Sequence, residues 1–332
     1  MGFREGIGHM LPSRRSALIA TAAVMAAPRT AWAQTFPSRP VRIVVPYPPG
    51  GPTDALARLI AAELQKDLAV SVVVENKPGA SGAVGTREVA RAEPDGHTLV
   101  LGTNQTHVTN AVLLKEPGYD AARDFVAIAG LAGLQHALVT PRGGARTVVE
   151  FAARAKAAPG KLNYGSTGVG SASHLGMELL LARAGLRITH VPFRGAAPMA
   201  LEIVAGRIDC ALATLPSVLG QIEAGEMNAL ALASLQASPQ LPQLALLARE
   251  GVSGAEADAW LALFAPRATP AAIVARLSAV TAAAMRRPHV IAAAVKLGTV
   301  PDVRDSAAFE AFLGPERTKW LDVVRLAGVK AE

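Results

Sequence analysis

From Val41 onward the chain repeatedly hands a short β-branched run to a helical pattern through a loop rich in Gly, Pro or Ser. That alternation limits its fold more than any other feature. Val41-Arg42-Ile43-Val44-Val45 is closed by Pro46, and Leu56, Leu59, Ile60 and Leu64 then fall on one face at the 3.6-residue period. Strands are expected at 70–74, 98–101, 138–140, 162–165, 188–192, 208–213 and 229–234, with helices at 84–92, 174–184 and 198–205 among them. This pattern specifies an α/β protein, and its strands are expected to run parallel. Thr53 or Asp54 is expected to cap the first helix, Thr147 and Glu150 form a capping box, and Thr269-Pro270 opens a C-terminal helix.

A chain of 332 residues exceeds what one core usually supports, so two lobes are expected. The C-terminal helices have no sheet of their own and should return to the first lobe. That assigns residues 34–135 and 256–332 to lobe 1 and 136–255 to an inserted lobe 2, with a cleft between them. With 51% hydrophobic and only 4% aromatic residues, the core must be built from Leu, Val, Ile and Ala.

The single cysteine, Cys210, excludes an internal disulfide, and no Cys/His group has metal-ligand spacing. His97, His107, His136, His190 and His289 read as packed or solvated. Of the net charge of +7, residues 1–33 carry four arginines against Glu5. The remaining excess is scattered and has no interleaved aromatics, so no nucleic-acid partner is expected.

The N-terminus has the three parts of an export signal: Ser13-Arg14-Arg15-Ser16, the apolar stretch Ala17 to Ala27, and Ala31-Trp32-Ala33. Cleavage after Ala33 would leave a periplasmic protein. The arginine pair is Tat-like, Ala17 departs from that pattern so that Sec export stays open, and Met10 is an alternative start.

Two loops at the carboxyl ends of strands carry the candidate binding chemistry. In the first, Tyr47, Pro48, Gly50, Gly51, Thr53 and Asp54 lie between strand and helix, and the amides of 50, 51 and 53 are expected to face a ligand. In the second, Ser166, Thr167, Gly168, Ser171 and His174 open directly into a helix and add hydroxyls. Thr103, Asn104, Gln105 and Thr106 follow a strand of lobe 1 and supply short polar side chains on its cleft side, and Phe193, Arg194, Gly195 and Ala196 follow a strand of lobe 2, where Arg194 is placed either toward the cleft or on the surface. Neither loop ends in the Gly-Lys-Ser/Thr of a P-loop, and Gly168-Val169-Gly170 lacks a third glycine, so no nucleotide cofactor is expected. With no nucleophile elbow, no zinc-protease motif and Cys210 in an apolar strand, the chain does not read as an enzyme.

These residues resemble the Bug family of periplasmic solute-binding proteins, the receptor component of tripartite tricarboxylate transport systems. The resemblance covers residues 36–332 and rests on Phe36-Pro37-Ser38-Arg39-Pro40, on Val44 to Asp54, and on Val74-Glu75-Asn76-Lys77-Pro78-Gly79-Ala80. Pro94-Asp95-Gly96, Tyr164-Gly165-Ser166, Val191-Pro192-Phe193-Arg194-Gly195 and Gly206-Arg207-Ile208-Asp209 extend it. It implies a two-lobed, Venus-flytrap fold of type II, a monomer without cofactor, and a small di- or tricarboxylate held mainly by backbone amides of the two loops. The implied partner is a membrane permease, with a sensor kinase as the alternative. Two departures stand out. Ala213 replaces an acidic residue frequent in relatives, which, if it faces the cleft, argues against an amino-acid ligand. Ala237 and Ala245-Leu246 replace an Arg and a Pro-Thr.

Overall fold

The computed structural model describes Gly2 and residues 36–329; apart from Gly2, the export-signal reading of residues 1–33 lies outside the described residues. Among the described residues no helix is long and apolar enough to cross a membrane. The strands are β1 (Val41–Val45), β2 (Val72–Asn76), β3 (Thr98–Thr103), β4 (Phe125–Leu134), β5 (His136–Pro141), β6 (Asn163–Ser166), β7 (Thr189–Pro192), β8 (Cys210–Thr214), β9 (Met227–Leu232), β10 (Ala259–Pro266) and β11 (Val300–Arg304). The α-helices are α1 (Pro52–Leu68), α2 (Ala83–Ala90), α3 (Asn110–Leu113), α4 (Val148–Ala157), α5 (Ala172–Ala184), α6 (Ala196–Val204), α7 (Leu215–Glu223), α8 (Ala271–Met285), α9 (Pro288–Lys296) and α10 (Ser306–Ala327).

Two sheets form, one of six strands in the order β11-β4-β10-β3-β1-β2 and one of five in the order β7-β6-β8-β5-β9. Both are mixed, which corrects the all-parallel expectation. In the first, β2 and β3 run parallel to β1, while β10 is antiparallel to β3 and β4, and β11 is antiparallel to β4. In the second, β6 is parallel to β7 and β8, and β5 is antiparallel to β8 and β9. The reversal follows from connectivity: the chain leaves the first sheet along β4, builds the second, and returns along β10 beside the strand it left by.

Strand β4 has no counterpart among the expected elements. Its sequence, Phe-Val-Ala-Ile-Ala-Gly-Leu-Ala-Gly-Leu, carries few β-branched residues, so local propensity is weak. Burial compensates, because α8 and α10 pack on this strand. Gly130 leaves room there for the ring of Phe309 from α10, at 2.5 Å from where a Cβ would stand. Helix α10 also packs on α5, beside the second sheet.

The period-two alternation of β8 divides its side chains between two apolar layers. Cys210 and Leu212 join the large core that runs through both sheets. Ala211 and Ala213 join a smaller cluster with Met199, Ile203 and Val218 beneath α6 and α7. Ala213 is fully buried in that layer, so the missing carboxylate there does not bear on the ligand, and the argument against an amino-acid solute loses its premise.

At the first crossing Gln135 bridges the sheets. Its carbonyl accepts from the Leu215 amide at 2.8 Å, and its Nε2 donates to Ser234 Oγ at 3.0 Å. Ser234 in turn donates to Asp258 Oδ2 at 2.7 Å, just before β10. The Thr147 capping box forms with an altered return: Thr147 Oγ1 accepts from the Glu150 amide at 3.1 Å, while the Glu150 carboxylate accepts from Arg146 N at 2.9 Å.

Candidate functional site

The carboxyl ends of β1, β6 and β7 lead into the N-termini of α1, α5 and α6. The α1 and α6 approaches meet: a Cβ at Gly195 would lie 3.8 Å from Cγ of Pro48 in the first loop. Gly195 is the N-cap of α6 at φ +107°, a conformation that favours glycine.

Helix α1 starts at Gly51 with Pro52 in its first turn and no side-chain cap. That overturns the expected capping by Thr53 or Asp54, which lie inside the helix and are buried. Asp54 turns back instead. Its carboxylate accepts from Gly50 N at 3.0 Å, Arg58 Nε at 3.1 Å and Asn76 Nδ2 at 3.1 Å. Burial alone would raise its pKa, but these donors outweigh burial and hold the carboxyl below its ordinary range. The Gly50 amide is therefore spent within the loop and that of Gly51 closes the turn at Pro49 and Gly50, whereas that of Thr53 has no backbone partner among the described residues.

Tyr47 points toward the turn after β3, its hydroxyl 2.7 Å from Thr103 Oγ1 and donating to Gln105 Oε1 at 3.1 Å. Burial raises its pKa. Thr103 and Thr106 stiffen the turn after β3, with Thr103 N donating to Thr106 Oγ1 at 3.0 Å. Thr106 Oγ1 also sits 2.9 Å from His107 Nδ1, whose ring stacks on Phe264 at 3.8 Å. Asn104 is 1% exposed, and its Nδ2 has no partner among the described residues. A buried amide left without a partner is uncommon.

The second loop is a closed ring of its own bonds. Thr167 N donates to Ser173 Oγ at 2.9 Å, Gly168 N to Ser166 Oγ at 3.2 Å, and Gly170 N to His174 Nδ1 at 3.1 Å. Ser171 caps α5, accepting from His174 N at 3.2 Å and donating to Gly168 O at 2.7 Å. Beneath it His174 stacks on His190 at 3.9 Å and 7°, and His190 Nε2 lies 2.7 Å from Ser166 Oγ. Tyr164, stacked on His190 at 4.9 Å, donates to Glu178, whose carboxyl is pushed up by burial. Burial drives His174 down to about 3, with His190 adding to it, and His190 down to about 4. Both rings are neutral at pH 7. The loop's hydroxyls hold its own shape.

Arg194 is exposed, Phe193 packs on the smaller core cluster, and Ala196 and Ala197 begin α6 with amides that have no partner among the described residues. Two residues not singled out as candidate site residues, Ser81 and Thr109, join Gln105 in bonding the second loop. Their signal in the sequence was weak, a turn-rich stretch and two polar residues four apart. The open donors gather at the N-termini of α1 and α6, where the helix field favours an anion.

Gly168 sits at φ +131°. Gly168→Val is expected to distort the ring at a cost of about 1 to 3 kcal/mol, weakening solute binding roughly tenfold or more. Cys210→Ser, in the buried strand β8 with no hydrogen bond to either loop, should lower stability in urea unfolding and leave affinity unchanged. Equal affinity losses in the two variants would refute the placement of the site.

The family model described as tripartite tricarboxylate transporter family receptor matches residues 56–329. Protein BugT of Bordetella pertussis is 32% identical over 314 residues, covering 94% of this chain and 95% of BugT. Among solved structures, an adipate-bound protein of R. palustris has a TM-score of 0.86 at 33% identity, covering 90% of this chain and 100% of that one. MatC from Rhodopseudomonas palustris with bound malate has a TM-score of 0.81 at 32% identity, covering 87% of this chain and 100% of that one. The two-sheet fold, loops poised at helix N-termini and these matches lead to one conclusion: the chain belongs to the tripartite tricarboxylate transporter receptors of the Bug type, periplasmic solute-binding proteins and not enzymes.

Proposed function

We propose that the mature chain closes on a small di- or tricarboxylate between two lobes, residues 34–135 with 256–332 and residues 136–255. It then delivers the solute to the permease of a tripartite tricarboxylate-type transporter. The observation that carries this reading is the meeting of the α1 and α6 N-termini with open amides at Thr53, Ala196 and Ala197. Asp54, in the first turn of α1, is already paired with Arg58. Each hydrogen bond to a charged acceptor contributes about 1.5 to 3 kcal/mol and a partly buried helix terminus up to ~2, so these donors reach the roughly 8 kcal/mol of a micromolar ligand without a lysine or arginine. Asn104 adds a side-chain donor. The adipate and malate in the two R. palustris structures support the same solute class.

A thermal-shift screen of the mature chain against mono-, di- and tricarboxylates, amino acids and phosphate tests this. A dicarboxylate or tricarboxylate at 100 times its dissociation constant should add about 2.7 kcal/mol, and it should be recovered chemically unchanged. No shift with any acid, together with no acid found by mass spectrometry of the denatured protein, would overturn the reading.

A further inference from the structure

Three side chains of the first sheet's loops donate to two consecutive carbonyls of the second loop. Ser81 Oγ and Gln105 Nε2 both reach Val169 O, at 3.2 and 2.9 Å, and Thr109 Oγ1 reaches Gly170 O at 2.8 Å. Gln105 and Thr109 begin and end the π-helical turn Gln105–Thr109, and their four-residue spacing puts both on the side facing that loop. Gln105 also accepts from Tyr47 at 3.1 Å, so one amide side chain links the first binding loop to the second. Ser81 is held at φ +53°, with Ala80 before it at φ +45°, and Asn110 Nδ2 donates to Ser81 O at 3.0 Å. Left-handed backbone at two successive non-glycine residues persists only where the surroundings enforce it.

We propose that Ser81, Gln105 and Thr109 form a latch that holds the two loops together without a bound solute, with Gln105 as its central positioning residue. The latch rests on the receptor reading for its purpose but not for its existence. None of its bonds needs the solute. By populating the closed arrangement in advance, it removes part of the cost of closure from each binding event and slows release.

Gln105→Glu tests it. The glutamate keeps an acceptor for Tyr47 but sets a carboxylate oxygen against Val169 O in place of the donor. Thr109→Val, which keeps the shape and removes one bond, is the second variant. Small-angle scattering of the solute-free mature protein should match the closed arrangement for the wild type. Both variants should give a larger radius of gyration while still unfolding in one cooperative thermal transition, and the closed-to-open ratio should fall about tenfold per lost bond. A wild-type profile that is open without solute, or profiles identical in wild type and both variants, would overturn the latch. Adipate and malate titrations by calorimetry form a separate arm: faster release in the variants is expected, while failure of the wild type to bind any carboxylate would count against the receptor reading alone.

Discussion

Asp54→Ala is expected to lower stability by about 3 kcal/mol and to weaken solute binding by more than tenfold. The carboxylate is 4% exposed and is the acceptor for Gly50 N, Arg58 and Asn76. Bonds to a charged group contribute about 1.5 to 3 kcal/mol, and donors left unpaired add a desolvation cost. Asn76 also donates to Tyr47 O at 3.1 Å, so both ends of the first loop rest on this cluster. Asp54→Asn, which retains one acceptor oxygen, should fall between alanine and wild type. Urea unfolding gives the stability, and calorimetric titration with the solute that emerges from the screen gives the affinity. An alanine variant within 0.5 kcal/mol of wild type would show that the loop is held by its prolines instead.

Acidification from pH 7 to pH 5 is expected to destabilise the fold by roughly 3 kcal/mol or more. Burial holds His174 and His107 down at about 3, and His190 and His136 at about 4, against an ordinary value of 6.5. As pH falls below 6.5 the unfolded chain takes up protons that the folded chain refuses. Their stabilising contribution is full above about 6.5 and is lost progressively toward 4 and 3. Asp258 works the other way. Burial pushes it up to about 6, so its contribution is present at low pH and lost as pH rises through that value. Glu178, also pushed up by burial, acts in the same sense, and the two carboxyls offset only part of the effect of four histidines. Urea midpoints across pH 7 to 4.5 measure the slope, and His174→Asn, whose side-chain oxygen can still accept from Gly170 N, should flatten it. A slope unchanged by that substitution would place the acid sensitivity elsewhere.

Much of the architecture was legible because β-branched runs and helical periodicity are local signals. β1 was read at its observed bounds, β2 and β3 within two residues, and Thr147 and Ser171 stand at helix N-caps as their residue types suggest. The expected strand at 208–213 became Cys210–Thr214, a shift of the kind that hydrogen-bond partners decide. β4 escaped because Ala and Gly carry little strand propensity, and its place between β10 and β11 comes from burial under α8 and α10.

The candidate site divides in the same way. The chain alone determined that two Gly-rich loops precede helices, that a single cysteine allows no internal disulfide, and that the motifs are those of a solute-binding family. Tertiary structure decided which donors those loops leave open. Asp54 takes the Gly50 amide because Arg58 and Asn76 surround it, and the second loop spends its hydroxyls on itself because His174 and His190 stack beneath it. It likewise turned Ala213 into the small core layer and brought Gln105 across to Val169. The reason is physical: a hydrogen-bond donor has no fixed partner until packing sets which acceptor lies within about 3 Å, and that distance is absent from the order of residues along the chain.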